Sequence, residues 1–181
     1  MKLNAKELRD VDENEIADKL KLIKRRPMYF ILENIYDTYN IGGLFRLADA
    51  LAIEKMYICG ESEIPPNSKI KKASIGTYKV VPWEYKKTAG EAIKELKDNG
   101  KIEEVKIIAV EQAKNSVPYT KADYTGPVAL ILGNETYGVT EETLKLANQI
   151  VEIPMWGINK SLNVIVSAAI VSYWVACSNK S

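Results

Sequence analysis

The chain has 181 residues, 46% of them apolar and 27% charged, with a formal net charge of +1. That is the length of one domain with core enough to fold without disulfides or metal, and the near-neutral balance excludes a global field toward nucleic acid, so any basic footprint must be local. Histidine is absent, which rules out Ser-His-Asp and Cys-His nucleophiles and histidine-rich zinc sites.

Two cysteines, Cys59 and Cys177, make neither a disulfide framework nor a metal spacing. Both stand among apolar neighbours and read as buried small hydrophobes in a reducing compartment. The chain opens without an apolar signal segment. Its one membrane candidate, residues 162–177, is broken by Asn163, Ser167 and Ser172. It is also shorter than the roughly 20 residues of a span. It reads as a helix buried on several sides, in a soluble, cytoplasmic protein.

Residues 3–24 predict a charged amphipathic helix with Leu3, Leu8, Ile16, Leu20 and Ile23 as its apolar positions. Lys19, Lys21, Lys24, Arg25 and Arg26 cluster at its end, and Pro27 stops it. Residues 1–26 thus form a helical extension, and 27–181 a single compact unit. The apolar run 28–32 is a buried strand. Residues 40–51 fit a helix, with Ile41, Leu44, Phe45, Ala48 and Leu51 on one face and Asn40 as N-cap.

Residues 55–59 form the next strand, ended by Gly60. Residues 61–76, with Pro65-Pro66, read as loop with a short helix, and 78–83 as a strand. A helix over 88–99 is closed by Gly100. The apolar runs 105–110, interrupted by Lys106, and 128–132, continuous, have the pattern of strands covered on both faces. A short helix over 140–148 is capped by Thr140, a last strand covers 150–153, and Ser161 caps the final helix, 161–178. Strands alternating with helices imply an α/β fold with a mostly parallel sheet flanked by helices.

Neither G-x-G-x-x-G nor a P-loop occurs, so a nucleotide cofactor would be held by other means. Three segments stand out instead. Glu33-Asn34 and Asn40-Ile41-Gly42-Gly43-Leu44-Phe45-Arg46 follow the first strand. Arg46 is the sole cation of that apolar helix; it reads as a partner of Asp49 or as an anion contact. Gly133-Asn134-Glu135-Thr136-Tyr137-Gly138 is a glycine-bracketed turn carrying one carboxylate at a strand's carboxyl end, where α/β sheets place ligands. Pro154-Met155-Trp156-Gly157 followed by Ser161-Leu162-Asn163 ends another strand in a polar loop. Each alone also reads as an ordinary turn or cap. Together they supply acid, hydroxyl and amide groups at adjacent strand ends.

In this order and spacing, the three segments resemble the SpoU (TrmH) family of SPOUT RNA ribose 2′-O-methyltransferases, over roughly residues 27–177. The resemblance implies a sheet whose C-terminal segment is threaded as a deep trefoil knot, against the usual absence of knots. It implies S-adenosyl-L-methionine bound by the knot loops, at Glu111, Leu132, Gly133, Ile153, Met155, Ser161 and Leu162. It also implies a homodimer, no metal, and a site using Arg46, Asn40, Glu135, Ser161 and Asn163. The implied reaction moves a methyl group from the sulfonium to a 2′-hydroxyl of tRNA or rRNA. A guanidinium is a poor base, so Arg46 is expected to orient phosphate and stabilise alkoxide charge.

RNA contact is expected at Lys24, Arg25 and Arg26 and at Lys71 and Lys72, with Lys86-Lys87 behind them. Solvated helix and loop faces are the plain alternative for these charges. Two competing functions are a non-catalytic, knotted RNA-binding or assembly paralogue, and a small-molecule enzyme using a nucleotide at the same strand ends.

Overall fold

A computed structural model of the chain describes residues 2–98 and 104–178. The elements are α1 (Ala5–Asp10), α2 (Glu13–Lys21), β1 (Arg26–Glu33), α3 (Thr38–Leu51), β2 (Ile53–Cys59), α4 (Ser68–Ser74), β3 (Trp83–Lys86) and α5 (Ala89–Asp98). They continue with β4 (Lys106–Val110), β5 (Val117–Pro118), β6 (Val128–Leu132), α6 (Glu141–Leu144), β7 (Gln149–Glu152) and α7 (Val164–Ser178). Among the described residues the strands form one seven-stranded sheet, β3-β2-β1-β6-β4-β7-β5, with every pairing parallel.

The uninterrupted apolar strands are explained by cover on both faces. Met28, Phe30 and Leu32 of β1 point into a core shared with α3 and α7, where Leu44, Phe45, Val171 and Val175 are buried. Tyr29 and Ile31 point the other way, against Ala92, Ile93 and Leu96 of α5. Phe45 meets the rings of Tyr78 and Trp83 edge-on, at centroid distances of 6.4 and 6.2 Å. Gly42 lets α3 approach α4: a Cβ there would stand 2.5 Å from Ala73 Cβ and 2.9 Å from Ser74 N.

Register aligns the carboxyl ends of the central strands. Leu132 pairs with both Leu32 and Val110, and Val110 pairs with Val151. The residues that follow, Glu33-Asn34, Glu111-Gln112, Gly133-Asn134 and Ile153-Pro154, therefore leave the sheet along one rim.

Several local expectations are corrected. The single helix over 3–24 is two helices. Asn4 and Glu7 form a capping box that starts α1, Val11 is extended, and Lys79 Nζ donates to the carbonyls of Arg9 and Val11. The chain leaves α2 at Lys21, before Pro27, which lies inside β1. Asp37, not Asn40, is the N-cap of α3; its side chain accepts from Tyr39 N. Asn40 sits within the first turn, which frees its amide for other work. The strand expected at 78–83 is a 3-10 turn at Thr77–Lys79 followed by β3. The short edge strand β5 was too brief to show a period. Asn99 and Gly100, expected to end α5, lie outside the described residues.

Ser161 does not cap the final helix. Asn163 does so, its Oδ1 accepting from Ile165 N at 2.8 Å. That helix is buried along one side only: Ala168, Val171, Val175 and Ala176 face the core, while Val166, Tyr173 and Trp174 are exposed. Cys59 is buried, but Cys177 is exposed. Among the described residues no helix is long and apolar enough to cross a membrane.

Candidate active site

A cavity of about 420 Å³ lies along the aligned strand ends. Its floor is apolar, from Val110, Leu132, Val151 and Ile153, and its rim carries Glu111, Glu135, Ser161 and Asn163. Gly133, Met155 and Leu162 also line it. All seven positions expected to hold a cofactor thus share one cavity.

The turn after β6 is built by its own polar groups. Asn134 Oδ1 accepts from Thr136 N and Tyr137 N, at 2.8 and 2.9 Å, and its Nδ2 donates to Asn34 O at 2.7 Å. Glu111 crosses from the end of β4 and accepts from Val139 N at 2.9 Å. Gly138 has a φ of 70°, and a Cβ there would stand 2.2 Å from Glu111 Oε2. The second glycine of this turn is thus required both by backbone conformation and by the carboxylate beside it. Buried Glu33 anchors the far end, accepting from Thr140 N and from the hydroxyls of Thr140 and Thr143. Gln112 Nε2 donates to Lys160 O at 2.6 Å, tying the polar loop after β7 to the end of β4.

One hydrogen-bonded chain joins the three sequence segments. Asn163 Nδ2 donates to Asn40 Oδ1 at 3.0 Å, and Asn40 Nδ2 donates to Glu135 Oε1 at 2.9 Å. The two oxygens of Glu135 also accept from Asp37 N and Tyr36 N, at 3.2 and 3.3 Å. Burial alone would raise the Glu135 carboxyl. The bonds from Asn40 and from the backbone of Glu135, Tyr36 and Asp37 outweigh it and hold the group below its ordinary value. Glu135 is therefore a charged, well-satisfied acceptor that orders its neighbours.

Arg46 stands apart. It is exposed on α3 and does not line the cavity. Among the described residues it makes no ion pair with Asp49; the cation acting on Asp49 is Arg25. Arg46 follows Gly43 by three residues, so the two share a helix face. A Cβ on Gly43 would stand 2.3 Å from Ile165 Cδ1, which puts that face against the start of α7.

The basic residues divide into free and engaged. Lys24, Arg26, Lys71 and Lys72 are exposed. Arg25 is half-buried and donates to the carbonyls of Ile53 and Val80, at 3.1 and 2.9 Å, so the fold uses it. Lys86 is held by Glu84 and Glu95. No group of metal-binding side chains occurs among the described residues.

Asn134, Glu33 and Gln112 fall in segments that the sequence places at the site, but the bonds by which they build it are not written in the sequence. Asn134 carried a signal, since Asn in a tight turn commonly bonds the backbone two residues on. For Glu33 and Gln112 the partners were unreadable, because they lie 107 and 48 residues away.

A parallel α/β sheet with a ligand-sized cavity on its carboxyl rim, lined by interlocked polar loops, defines a class of small-molecule-binding α/β proteins. Within that class the chain belongs to the SpoU rRNA Methylase family, whose pattern matches residues 27–173. It is 31% identical over 156 residues to the tRNA (guanosine(18)-2′-O)-methyltransferase of Escherichia coli strain K12, covering 84% of this chain and 64% of the relative. The chain thus spans a little under two thirds of that relative's length. Among solved structures, the A. aeolicus TrmH/SpoU tRNA modifying enzyme superposes with a TM-score of 0.77 at 26% identity, covering 93% of this chain and 84% of that one. The AdoMet-bound rRNA methyltransferase from Sinorhizobium meliloti gives 0.78 at 26% identity, covering 96% and 61%.

Proposed function

We propose that the protein transfers a methyl group from S-adenosyl-L-methionine to a ribose 2′-hydroxyl of tRNA or rRNA. The observation that carries this reading is the cavity on the carboxyl rim, where all three family segments meet in one hydrogen-bonded chain. Its apolar floor suits an adenine ring, and the carboxylates of Glu111 and Glu135 at its rim suit a cationic donor. When bound, the cofactor supplies an electrophilic methyl group. Glu111, Leu132, Gly133, Ile153, Met155, Ser161 and Leu162 hold it, largely through backbone and apolar contacts.

The chain's own residues then have separate tasks. Asn40 and Asn163 fix Glu135 and the start of α7, which sets the cavity wall. Ser161 and Asn163 stand on the rim where the acceptor ribose arrives. Arg46, which stands off this chain's own cavity, is assigned to orient an RNA phosphate and stabilise negative charge developing on a 2′-oxygen presented across the dimer inferred below, a positioning contribution worth several kcal/mol in such reactions. Lys71 and Lys72 on α4, and Lys24 and Arg26 at the amino end of β1, opposite the cavity, give two separate local basic patches that the whole-chain charge lacks.

We further infer a homodimer. Val166, Tyr173 and Trp174 leave an apolar face on α7 that a second copy would cover, and Arg46 lies on the adjoining face of α3. The segment after β7 is inferred to be threaded as a trefoil knot, which the family resemblance supports and the packing of α7 on α3 suits. Residues 1–26 are read as a helical extension, of which Arg26 already enters β1, on a unit spanning 27–181, and the reaction is placed in the cytoplasm.

The test is methylation of bulk tRNA and rRNA with labelled cofactor, followed by nucleoside mass spectrometry. A new 2′-O-methylnucleoside is expected. Cofactor binding by calorimetry without any methylated RNA would sink the catalytic reading. Near-normal single-turnover methylation by Arg46→Ala would remove Arg46 from its central role.

A further inference from the structure

A second cleft, of about 480 Å³, opens between the turn at Tyr36–Tyr39 and the start of α4. Tyr36, Asp37 and Tyr39 line one side, and Glu63, Asn67, Ser68 and Lys69 the other. Glu135 joins it to the cavity on the carboxyl rim. That carboxylate lines the rim cavity while accepting from the N–H groups of Tyr36 and Asp37, which wall the second cleft.

Both tyrosines are exposed, Tyr36 by 49% and Tyr39 by 53%. An exposed aromatic ring gains little from folding, yet Tyr36 is tethered at both ends. Its backbone N–H bonds Glu135, and its phenol donates to Glu61 Oε2 at 2.8 Å. A ring held in place before its ligand arrives loses little freedom on binding. Proteins that recognise single-stranded RNA use such surfaces, stacking unpaired bases on aromatic rings and bonding their edges with polar side chains. Here two rings, polar edge groups, the acidic Asp37 and Glu63 and one cation stand together, one carboxylate away from the proposed methyl-transfer cavity.

We propose that this cleft receives an unstacked base of the RNA substrate. The base stacks on Tyr36 and Tyr39, its edge meets Asp37, Asn67 and Ser68, and Lys69 faces the adjoining phosphate. The inference rests on the RNA methyltransferase reading and adds a subsite for the nucleotide at or next to the modified ribose.

The experiment compares the wild type with Tyr36→Ala, Tyr39→Ala, Tyr36→Phe and Tyr36→Trp on bulk tRNA and rRNA. Each alanine variant should lower kcat/KM roughly 10- to 100-fold, mainly through KM, as expected for loss of one base–aromatic stack. Cofactor affinity by calorimetry should be unchanged, which a merely structural role for the rings would not predict. Tyr36→Phe and Tyr36→Trp should keep most activity, since the ring survives. In parallel, RNA carrying 4-thiouridine is cross-linked to the wild type, and an adduct is expected on the peptide holding Tyr36 and Tyr39.

Unchanged KM in both alanine variants, or cross-links confined to other peptides, overturns the subsite. Cross-linking at the tyrosines by a wild type that methylates no RNA would keep the subsite and overturn the methyltransferase reading instead.

Discussion

Replacing Gly138 by alanine tests how the turn after β6 is built. The residue has a φ of 70°, where an L side chain costs about 1–2 kcal/mol. The new Cβ would stand 2.2 Å from Glu111 Oε2, so the carboxylate must leave and give up its bond from Val139 N. A hydrogen bond to a charged group contributes about 1.5–3 kcal/mol, and Glu111 is part-exposed, so the lower end applies. The sum is about 3 kcal/mol, a fall in Tm of roughly 6–12 °C for a chain of this length. Cofactor affinity should fall as well, since both residues line the cavity.

The decisive measurement is a double-mutant cycle by urea unfolding. In a Glu111→Ala background, Gly138→Ala should cost only the backbone part, about 1–2 kcal/mol. An equal cost in both backgrounds would refute the coupling between Glu111 and this glycine.

Three further outcomes are expected. Asn40→Asp should reduce single-turnover methylation more than Asn40→Ala, because it sets a second carboxylate against Glu135 Oε1, whereas lost packing alone would make alanine the worse variant. Glu95 is held down to about 2, from an ordinary 4.5: burial pushes it up, but bonds from Lys86, Tyr57 and Lys55 prevail. Its contribution to stability is therefore full above pH 4.5 and is lost as pH falls toward 2, and Glu95→Gln should flatten that acid limb in urea unfolding followed against pH. Burial, with the negative charges of Glu33 and Glu91 nearby, pushes the Cys59 thiol up to about 12, so Cys59 should resist iodoacetamide at pH 8 until denaturant is added, as read by intact-mass spectrometry.

The strands buried on both faces were legible because β1, β4 and β6 carry apolar runs, at 28–32, 107–110 and 128–132, of ordinary strand length. α3 was legible from its apolar face, but its start was not: Asp37 and Asn40 are both good caps, and only the demand of Glu135 for a donor decides between them. The N-terminal pair misled because a capping box and an extended Val11 interrupt a pattern whose apolar spacing carries on. β3 and β5 are short edge strands, set by their neighbours rather than by any period of their own. Within the site, the residue types at the rim were readable, whereas the links among Asn40, Glu135 and Asn163 depend on strand register and could not be read from spacing.

That linked chain bears on the order in which the protein assembles. Its two bonds span 95 and 123 residues, and each needs a finished strand end to present its partner. Contacts so distant in sequence close late, after the sheet that aligns them. An intermediate with every strand paired but the start of α7 undocked would have a native-like core and no completed pocket wall. Activity is thus a stricter reporter of complete folding than secondary structure, and ligand binding should slow release of the C-terminal helix first.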